Sequence, residues 1–125
     1  MTLAYDAGLL IAADRNDRTV WADHRRRLEA GLVPITTAPV VSQVSRTGRQ
    51  AQLRRFLRGC QIEALTSDQA HEIGALMGRA GTTDVVDAHL MMVAAATAST
   101  VLTTDPDDLE ALCRHLPSHV PVRSA

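Results

Sequence analysis

The 125-residue sequence is poor in aromatic side chains, which make up only 2% of it, although 46% of its residues are hydrophobic. The core must therefore be built from Ala, Leu, Val, Ile and Met, a composition that suits helices packed tightly on a sheet. A chain of this length holds one domain with a single core and not two. We therefore expect one domain over residues 1–125.

Long apolar runs and cysteines are also scarce. The longest strongly apolar stretch, residues 90–98, is too short to cross a bilayer, and the N-terminus lacks the basic start and long apolar core of a secretory signal. We therefore expect a cytoplasmic protein that does not associate with a membrane. In a reduced compartment, the two cysteines, Cys60 and Cys113, are expected to be small buried residues and not a disulfide.

Lysine is absent, so all thirteen basic residues are arginine, and they are unevenly distributed. Residues 15–58 hold ten arginines against three acids, a local balance of +7, whereas residues 59–125 hold three arginines against nine acids, a balance of -6. Residues 84–110 contain six acids and no arginine, which is typical of a cation site. The basic segment either holds a polyanion near those acids or forms solvated helix faces, and charge alone favours neither reading.

The hydrophobic pattern alternates between short strands and helices. Strands are predicted at residues 3–5, 33–35, 62–65, 101–103 and 120–122. Helices are predicted at residues 9–13, 18–30, 39–44, 50–58, 67–79, 84–98 and 107–115. Strands separated by helices in this way predict an α/β fold of three layers, with a mostly parallel central sheet covered by helices on both faces.

Aspartates follow two of these strands and begin one of the helices. Asp6 follows the first strand, Asp105 follows the strand at residues 101–103, and Asp84 and Asp87 begin the apolar helix that runs to Ala98. Ligands of open α/β sheets bind outside the carboxyl ends of the strands, so these carboxylates are expected at one edge. Crowded carboxylates repel one another unless a cation lies among them, which favours a Mg²⁺ or Mn²⁺ site.

Simpler roles are open for several of these residues. Asp84 could be the N-cap of its helix and Asp87 a first-turn charge that the helix dipole stabilises, while Asp107 and Asp108 are expected to cap and start the last helix. Asp6 is harder to explain in this way, because an acid directly after a buried strand needs a partner. The five histidines have no metal-ligand spacing and are expected to be structural or solvent-facing.

Three motifs carry a resemblance to a known family. Residues 3–10 are similar to a strand that ends in an aspartate and is followed by small residues and an apolar helix. Residues 87–95 look like an Asp-Ala helix, and residues 101–105 look like a final strand that ends in Thr-x-Asp. Together, in this order and over essentially the whole chain, they resemble the PIN domain, and within it the VapC toxins of bacterial toxin–antitoxin modules.

The resemblance implies a set of site residues. The family's first, third and fourth acids map onto Asp6, Asp87 and Asp105, which would be both the metal ligands and the catalytic residues. Gln43 stands where the family has its second acid, a glutamate, and this difference removes one negative charge from the site. Metal affinity should then be weaker than in a four-acid relative. Accessory positions would be Asp84, Gln43, Thr103 and Asp107.

The resemblance also implies a function and partners. It implies a Mg²⁺-dependent (or Mn²⁺-dependent) endoribonuclease, the toxin of a VapBC-type module, which hydrolyses RNA phosphodiester bonds. It further implies a homodimer and a small VapB-like antitoxin that covers the active site. Because aromatic residues are few, RNA would be held by its backbone and not by extensive base stacking. The candidates for contacting RNA phosphates are Arg46, Arg49, Arg54, Arg55 and Arg58.

Two other classes of protein share some of these sequence features. A phosphorelay receiver domain has a similar length, α/β order and clustered acids, but it needs a lysine near its phosphorylated aspartate, and this chain has none. The stronger alternative is a PIN-like module that is inactive or weak as a catalyst and binds RNA or a protein partner without cutting. Gln43 is the residue that motivates it.

Overall fold

The computed structural model describes all residues from Met1 to Ala125. The strands are β1 (Thr2–Tyr5), β2 (Ile35–Thr37), β3 (Gln61–Glu63), β4 (Ser99–Thr103) and β5 (Val122–Ser124). The helices are α1 (Ala7–Asp14), α2 (Arg18–Glu29), α3 (Ala38–Val44), α4 (Ala51–Leu57), α5 (Ser67–Ala80), α6 (Val85–Ala96) and α7 (Glu110–Cys113). A short 3-10 helix, Pro106–Leu109, leads into α7.

The five strands form one sheet in the order β3-β2-β1-β4-β5, and every pair of neighbours is parallel. The chain moves outward from β1 to β2 and β3, and then crosses to the other side of β1 to form β4 and β5. The direction of winding therefore reverses between β1 and β4, which is the position where open α/β sheets form a ligand crevice. The predicted α/β fold with a parallel sheet is confirmed.

Several element boundaries differ from the prediction. Strand β2 begins at Ile35 and not at residue 33, since Val33 is 56% exposed whereas Thr36 and Thr37 are buried. Both threonines satisfy their hydroxyls there: Thr36 Oγ1 donates to the Tyr5 carbonyl at 2.9 Å, and Thr37 Oγ1 accepts from the Val40 N–H. Two buried threonines therefore form the C-terminal part of β2. The hydrophobic pattern alone predicts a strand that starts two residues earlier.

The C-terminal elements are also shifted. Helix α6 ends at Ala96, because Ala98 adopts a positive φ of 53°, and the predicted last helix is divided into the 3-10 helix and α7. Strand β5 begins at Val122 because Pro121 has no N–H to pair, although its carbonyl accepts from the Val101 N–H at 2.9 Å. The N-cap of helix α5 is Thr66, one residue before the predicted start of the helix.

The core lies between the sheet and its helices, and α6 contributes most to it. Helix α6 is apolar on nearly all sides, and Ala88, Leu90, Met91, Val93 and Ala94 are all buried. This burial fixes the N-terminus of α6, which carries Asp84 and Asp87, relative to the strands. No helix of the structure has the length and apolar character needed to cross a membrane.

Histidine and cysteine residues take structural or surface positions. His24 and His89 are buried, whereas His71, His115 and His119 are exposed. Both cysteines, Cys60 and Cys113, are free and half-buried, and burial raises the pKa of the Cys60 thiol to about 12. A thiol with so high a pKa is unreactive at neutral pH, which fits a packing role.

Candidate active site

Asp6 lies at the reversal of the sheet, between the end of β1 and the start of α1. Its Oδ1 accepts the N–H of Ala7 at 2.6 Å, so the carboxylate caps α1. Its Oδ2 accepts the hydroxyl of Thr103 at 2.7 Å. The main-chain N–H of Asp6 donates to the carbonyl of Leu102 at 3.1 Å, which holds it against β4. Asp6 therefore has the partner that its position after a buried strand requires.

Thr103 joins the two strands at this edge. Its side chain is buried, and its hydroxyl oxygen accepts the N–H of Asp105 at 3.0 Å. Because that oxygen accepts from Asp105, the hydroxyl proton is free to point at Asp6. One hydroxyl thus orients the carboxylate of Asp6 and the main chain that carries Asp105, which gives the accessory position Thr103 a definite structural role.

The first turn of α1 approaches the segment after β4 very closely. A Cβ atom added to Gly8 would lie only 2.0 Å from Thr104 Oγ1 and about 3.1 Å from Thr104 Cβ. Real Cβ atoms do not approach other atoms to 2.0 Å, so any larger residue at position 8 would displace Thr104. The small residue two positions after Asp6 therefore permits the close packing of α1 against residues 103–105.

Asp84 and Asp87 lie at the N-terminus of α6. Asp84 is the N-cap, since its Oδ1 accepts the N–H of Asp87 at 3.0 Å, and the simpler role predicted for it is confirmed. Asp87 is half-buried in the first turn. Burial, and then the negative charges of Asp84 and Asp6, raise the pKa of Asp87 from 3.8 to about 7. Asp6 and Asp87 are thus close enough for their charges to interact.

Further acidic residues follow β4, close to Asp6. Asp105 and Asp107 are exposed, and neither caps the 3-10 helix with its side chain. The charge of Asp105 is the main cause that raises the pKa of Asp108, and Asp6 also contributes. Asp108 is therefore near enough to Asp105 and Asp6 to feel their charges, a proximity that sequence reasoning missed. The three-residue spacing from Asp105 across a helical turn was the signal that could have found it.

No arginine neutralises these acids. The two ion pairs of the structure lie elsewhere, between Arg26 and Asp23 and between Arg114 and Glu110. The carboxylates named above therefore repel one another without a compensating side chain. They define an acidic edge, which consists of Asp6, Asp84, Asp87, Asp105 and Asp108.

The acidic edge suits one kind of metal site better than another. No three acidic, histidine or cysteine side chains gather closely enough to hold one ion between them. Mg²⁺, however, usually keeps several waters and binds one or two carboxylates together with phosphates of the substrate. The hard oxygen ligands of Asp6, Asp87 and Asp105 fit such a water-rich site, and they do not form a closed cage of protein ligands.

Gln43 lies on α3 and is exposed. Its side chain forms no hydrogen bond with any of the aspartates, and its predicted contribution to the site stays a prediction. The predicted RNA-binding arginines are all exposed but differ in their surroundings. Arg46 and Arg54 donate to nearby main-chain carbonyls, whereas Arg55 stacks on Trp21 with its guanidinium carbon 5.5 Å from the ring centroid.

The sequence matches no protein-family model and no curated protein, but its structure is similar to solved ones. One is VapBC2 from Rickettsia felis, which was solved bound to a DNA fragment from its promoter. It aligns with a TM-score of 0.71 and 13% identity, over 100% of this chain and 99% of that chain. PAE2754 from Pyrobaculum aerophilum aligns with a TM-score of 0.61 and 16% identity over 97% and 92%. These similarities confirm the PIN-like, VapC-type fold that the sequence resemblance predicted.

Proposed function

We propose that this chain, which has the PIN-like fold of a VapC toxin, is a metal-dependent endoribonuclease and the toxin of a toxin–antitoxin pair. One observation carries the proposal: carboxylates from β1, α6 and the segment after β4 gather at the reversal of the sheet without an arginine partner, and burial, together with the charges of Asp84 and Asp6, raises the pKa of Asp87 to about 7. Such an unneutralised group is unfavourable in a folded protein unless a cation binds there.

The roles of the residues follow from their contacts. A divalent ion bound at the acidic edge would supply a Lewis acid for the scissile phosphate and a bound water of lowered pKa. Asp6 is held in one orientation by the Ala7 N–H and the Thr103 hydroxyl, so it is the best-ordered candidate ligand. Asp87 carries a charge that its surroundings disfavour, so a neighbouring cation would stabilise its ionised form. Asp105 is exposed and would meet substrate and ion from the outer side.

The substrate and partners belong to the same proposal. RNA is the substrate that the sequence resemblance implies, and the +7 balance of residues 15–58 supports a polyanionic ligand. We infer a small VapB-like antitoxin as partner, because the similar structure from Rickettsia felis is a VapBC2 complex. A homodimer and a cytoplasmic location complete the proposal.

The test is RNA cleavage with and without Mg²⁺ by the parent protein, Asp6→Asn, Asp87→Asn and a matched control, Asp68→Asn. Asp68 is an exposed first-turn aspartate of α5, so its substitution makes the same chemical change outside the acidic edge. We expect Mg²⁺-dependent cleavage by the parent and the control and at least a hundredfold loss in the other two. Undiminished cleavage by both Asp6→Asn and Asp87→Asn would contradict the proposal.

A second function is supported by specific observations. The exposed Gln43 and the absence of three converging ligands favour a PIN-like module that binds RNA or protein without cutting. The same experiment separates the two functions. Tight RNA binding by the parent protein, with no cleavage at any Mg²⁺ or Mn²⁺ concentration, would establish the binding module.

A further inference from the structure

A hollow of about 290 Å³ opens between α2 and α4, on the basic half of the chain. We call it the α2–α4 hollow; the side chains that matter here are Asn16, Arg18, Trp21, Arg25, Gln52 and Arg55. Three of the six are arginines, and no acid lines the hollow. The α2–α4 hollow is therefore a concave surface of strong positive charge.

The arginines reach the hollow from two helices that are distant in sequence. Arg18 and Arg25 are seven residues apart on α2, which places them on one face two turns apart. Arg55 comes from α4, and its guanidinium donates to Gln52 Oε1 at 3.2 Å. None of the three takes part in an ion pair. Their charges are therefore available to a ligand.

Trp21 provides a rigid base for this cluster. Its indole Nε1 donates to the Ala13 carbonyl at 3.0 Å, and its ring packs edge-to-face on Phe56 at 5.1 Å between centroids. Arg55 lies over the Trp21 ring, 5.5 Å from its centroid. The guanidinium plane is thus held in place before any ligand binds, which lowers the entropy lost on binding.

The nearby acids do not neutralise the hollow. Asp23 pairs with Arg26, and Asp17 caps α2 by accepting the Val20 N–H at 3.1 Å. Trp21 and Ala22 are the only hydrophobic residues that line the hollow. A protein helix would bury little there. Guanidinium groups bind phosphate oxygens in a bidentate manner, and a base can stack on the exposed face of an arginine that already lies on an aromatic ring.

The hollow is connected to the acidic edge by the turn between α1 and α2. A second hollow of about 510 Å³ adjoins the segment that carries Thr103 and Asp105, and it is lined by Gly8, Ile11, Ala12, Arg15, Asp17 and Thr104. Arg15 is followed by Asn16, which adopts a positive φ of 62° in the turn, and then by Arg18 at the α2–α4 hollow. The turn therefore connects the two hollows through Arg15 and Arg18, with the helix-capping Asp17 between them.

We propose that the α2–α4 hollow is a binding subsite for a phosphate and a base of single-stranded RNA, at a distance from the bond that is cut. Arg18 and Arg25 bind the phosphate, and Arg55, supported by Trp21, stacks on the base. The identity of the ligand as RNA rests on the proposed nuclease function, but the subsite acts in binding and not in chemistry. It differs from the segment around Arg46 and Arg49, whose arginines do not line the hollow.

The test measures binding of a fluorescent single-stranded RNA of about 12 nucleotides by anisotropy, in EDTA so that no cleavage occurs. The variant Arg18→Gln/Arg25→Gln is compared with Arg79→Gln/Arg123→Gln, which removes the same charge from two exposed arginines outside residues 15–58 that form no ion pair. We expect the first to weaken binding about tenfold and to reduce the salt slope by about 0.7, the value for one lost phosphate contact on a single strand. The control should change binding less than threefold. Equal losses in both variants, or none in the first, would overturn the subsite.

A second variant tests the stacking. Arg55→Lys keeps the charge but removes the planar group, so we expect weaker binding with an unchanged salt slope. Unchanged affinity would exclude stacking at this position. A poly-glutamate peptide serves as competitor: if it binds the hollow more tightly than the RNA does, and loses affinity in Arg18→Gln/Arg25→Gln, the site recognises acidic protein and the proposal is wrong.

The two proposals fail in different ways. If the parent cleaves no RNA but Arg18→Gln/Arg25→Gln binds RNA more weakly than its control, the nuclease function is lost and the subsite stands. If cleavage depends on Asp87 and Mg²⁺ while all the arginine variants bind RNA like the parent, the subsite alone is wrong.

Discussion

The hydroxyl of Thr103 donates to Asp6 Oδ2 at 2.7 Å across the two strands between which the sheet reverses. The same oxygen accepts the N–H of Asp105. One buried side chain therefore fixes the positions of two candidate metal ligands relative to each other. Both aspartates follow parallel neighbouring strands, but strand geometry alone fixes only their main chains. The orientation of the Asp6 carboxylate depends on this hydrogen bond.

Thr103→Val removes that hydroxyl while keeping the shape of the side chain. It leaves the Asp105 N–H without its acceptor and frees one oxygen of Asp6, so we expect a loss of about 1–3 kcal/mol in the free energy of unfolding. Metal-dependent cleavage should fall at least tenfold. Thr103→Ser keeps the hydroxyl and should retain most of the activity. Chemical denaturation and initial cleavage rates measure both effects, and equal activity of the valine and serine variants would contradict the role of the hydroxyl.

Gly8→Ala tests the close approach of α1 to the segment after β4. In an open helical position, alanine is more favourable than glycine by ~0.5–1 kcal/mol. Gly74 and Gly78 in α5 have nothing within 4 Å of an added Cβ, so Gly74→Ala should raise the melting temperature. Gly8→Ala should lower it, because Thr104 must move.

The double variant Gly8→Ala/Thr104→Gly provides the control for that contact. Replacing Thr104 by glycine removes the atoms that an added Cβ would meet, so part of the stability should return. If Gly8→Ala is as stabilising as Gly74→Ala, α1 does not pack closely against Thr104 beside Asp6.

Much of this site could be predicted from sequence, because main-chain geometry alone determines where these aspartates lie. Asp6 and Asp105 follow strands, and Asp84 has the sequence position of an N-cap, so each is placed by local structure. The proximity of Asp108 to Asp105 and Asp6 was missed because it depends on a 3-10 turn after Pro106. The position of a side chain one turn later depends on that turn, which hydrophobic periodicity does not specify.

The basic residues show a second limit of prediction from sequence. The charge balance of residues 15–58 was evident, but the association of Arg18 and Arg25 with Arg55 depends on the packing of α2 against α4 through Trp21 and Phe56. These contacts join residues far apart in the chain. The binding of an ion by carboxylates, which we propose, would be equally nonlocal, since it would depend on side-chain rotation and on the ion itself.

His89 gives a prediction about stability and pH. It is fully buried on α6, neither ring nitrogen has a hydrogen-bond partner, and burial lowers its pKa although the charge of Glu63 favours the charged form. The unfolded chain therefore binds a proton more readily, so the folded state loses stability as pH falls below about 6.5. His24 contributes in the same direction, because burial and Arg27 lower its pKa.

His89→Leu removes two unsatisfied polar atoms and the titration together. We expect it to raise stability by about 1 kcal/mol at pH 7, and by more at pH 5. His119 is exposed, and His119→Leu should leave the free energy of unfolding unchanged at both pH 7 and pH 5. Denaturant unfolding at the two pH values measures the difference. A smaller gain at pH 5 than at pH 7 would show that the imidazole is stabilised as its cation.

Asp87→Asn should stabilise the metal-free protein although it removes a proposed metal ligand. The pKa of Asp87 is raised from 3.8 to about 7, first by burial and then by Asp84 and Asp6, so its ionised form is disfavoured in the folded state. The destabilisation is fully present above pH 7, decreases as pH falls, and is absent below about 3.8, where both states are protonated.

A shift of this size corresponds to ~4 kcal/mol, but solvent screens a half-exposed group, so we expect a gain of about 1 kcal/mol and roughly 3 °C in melting temperature at pH 8. At pH 4 the variant and parent should melt together. Asp68→Asn, which changes an exposed aspartate, should give no gain at either pH. When Mg²⁺ is added at pH 8, the parent should melt at a higher temperature than Asp87→Asn, because Mg²⁺ stabilises only the protein that keeps the Asp87 carboxylate. If the variant is less stable than the parent in EDTA at pH 8, the repulsion inferred at the acidic edge does not exist, and the strongest support for a cation site is lost.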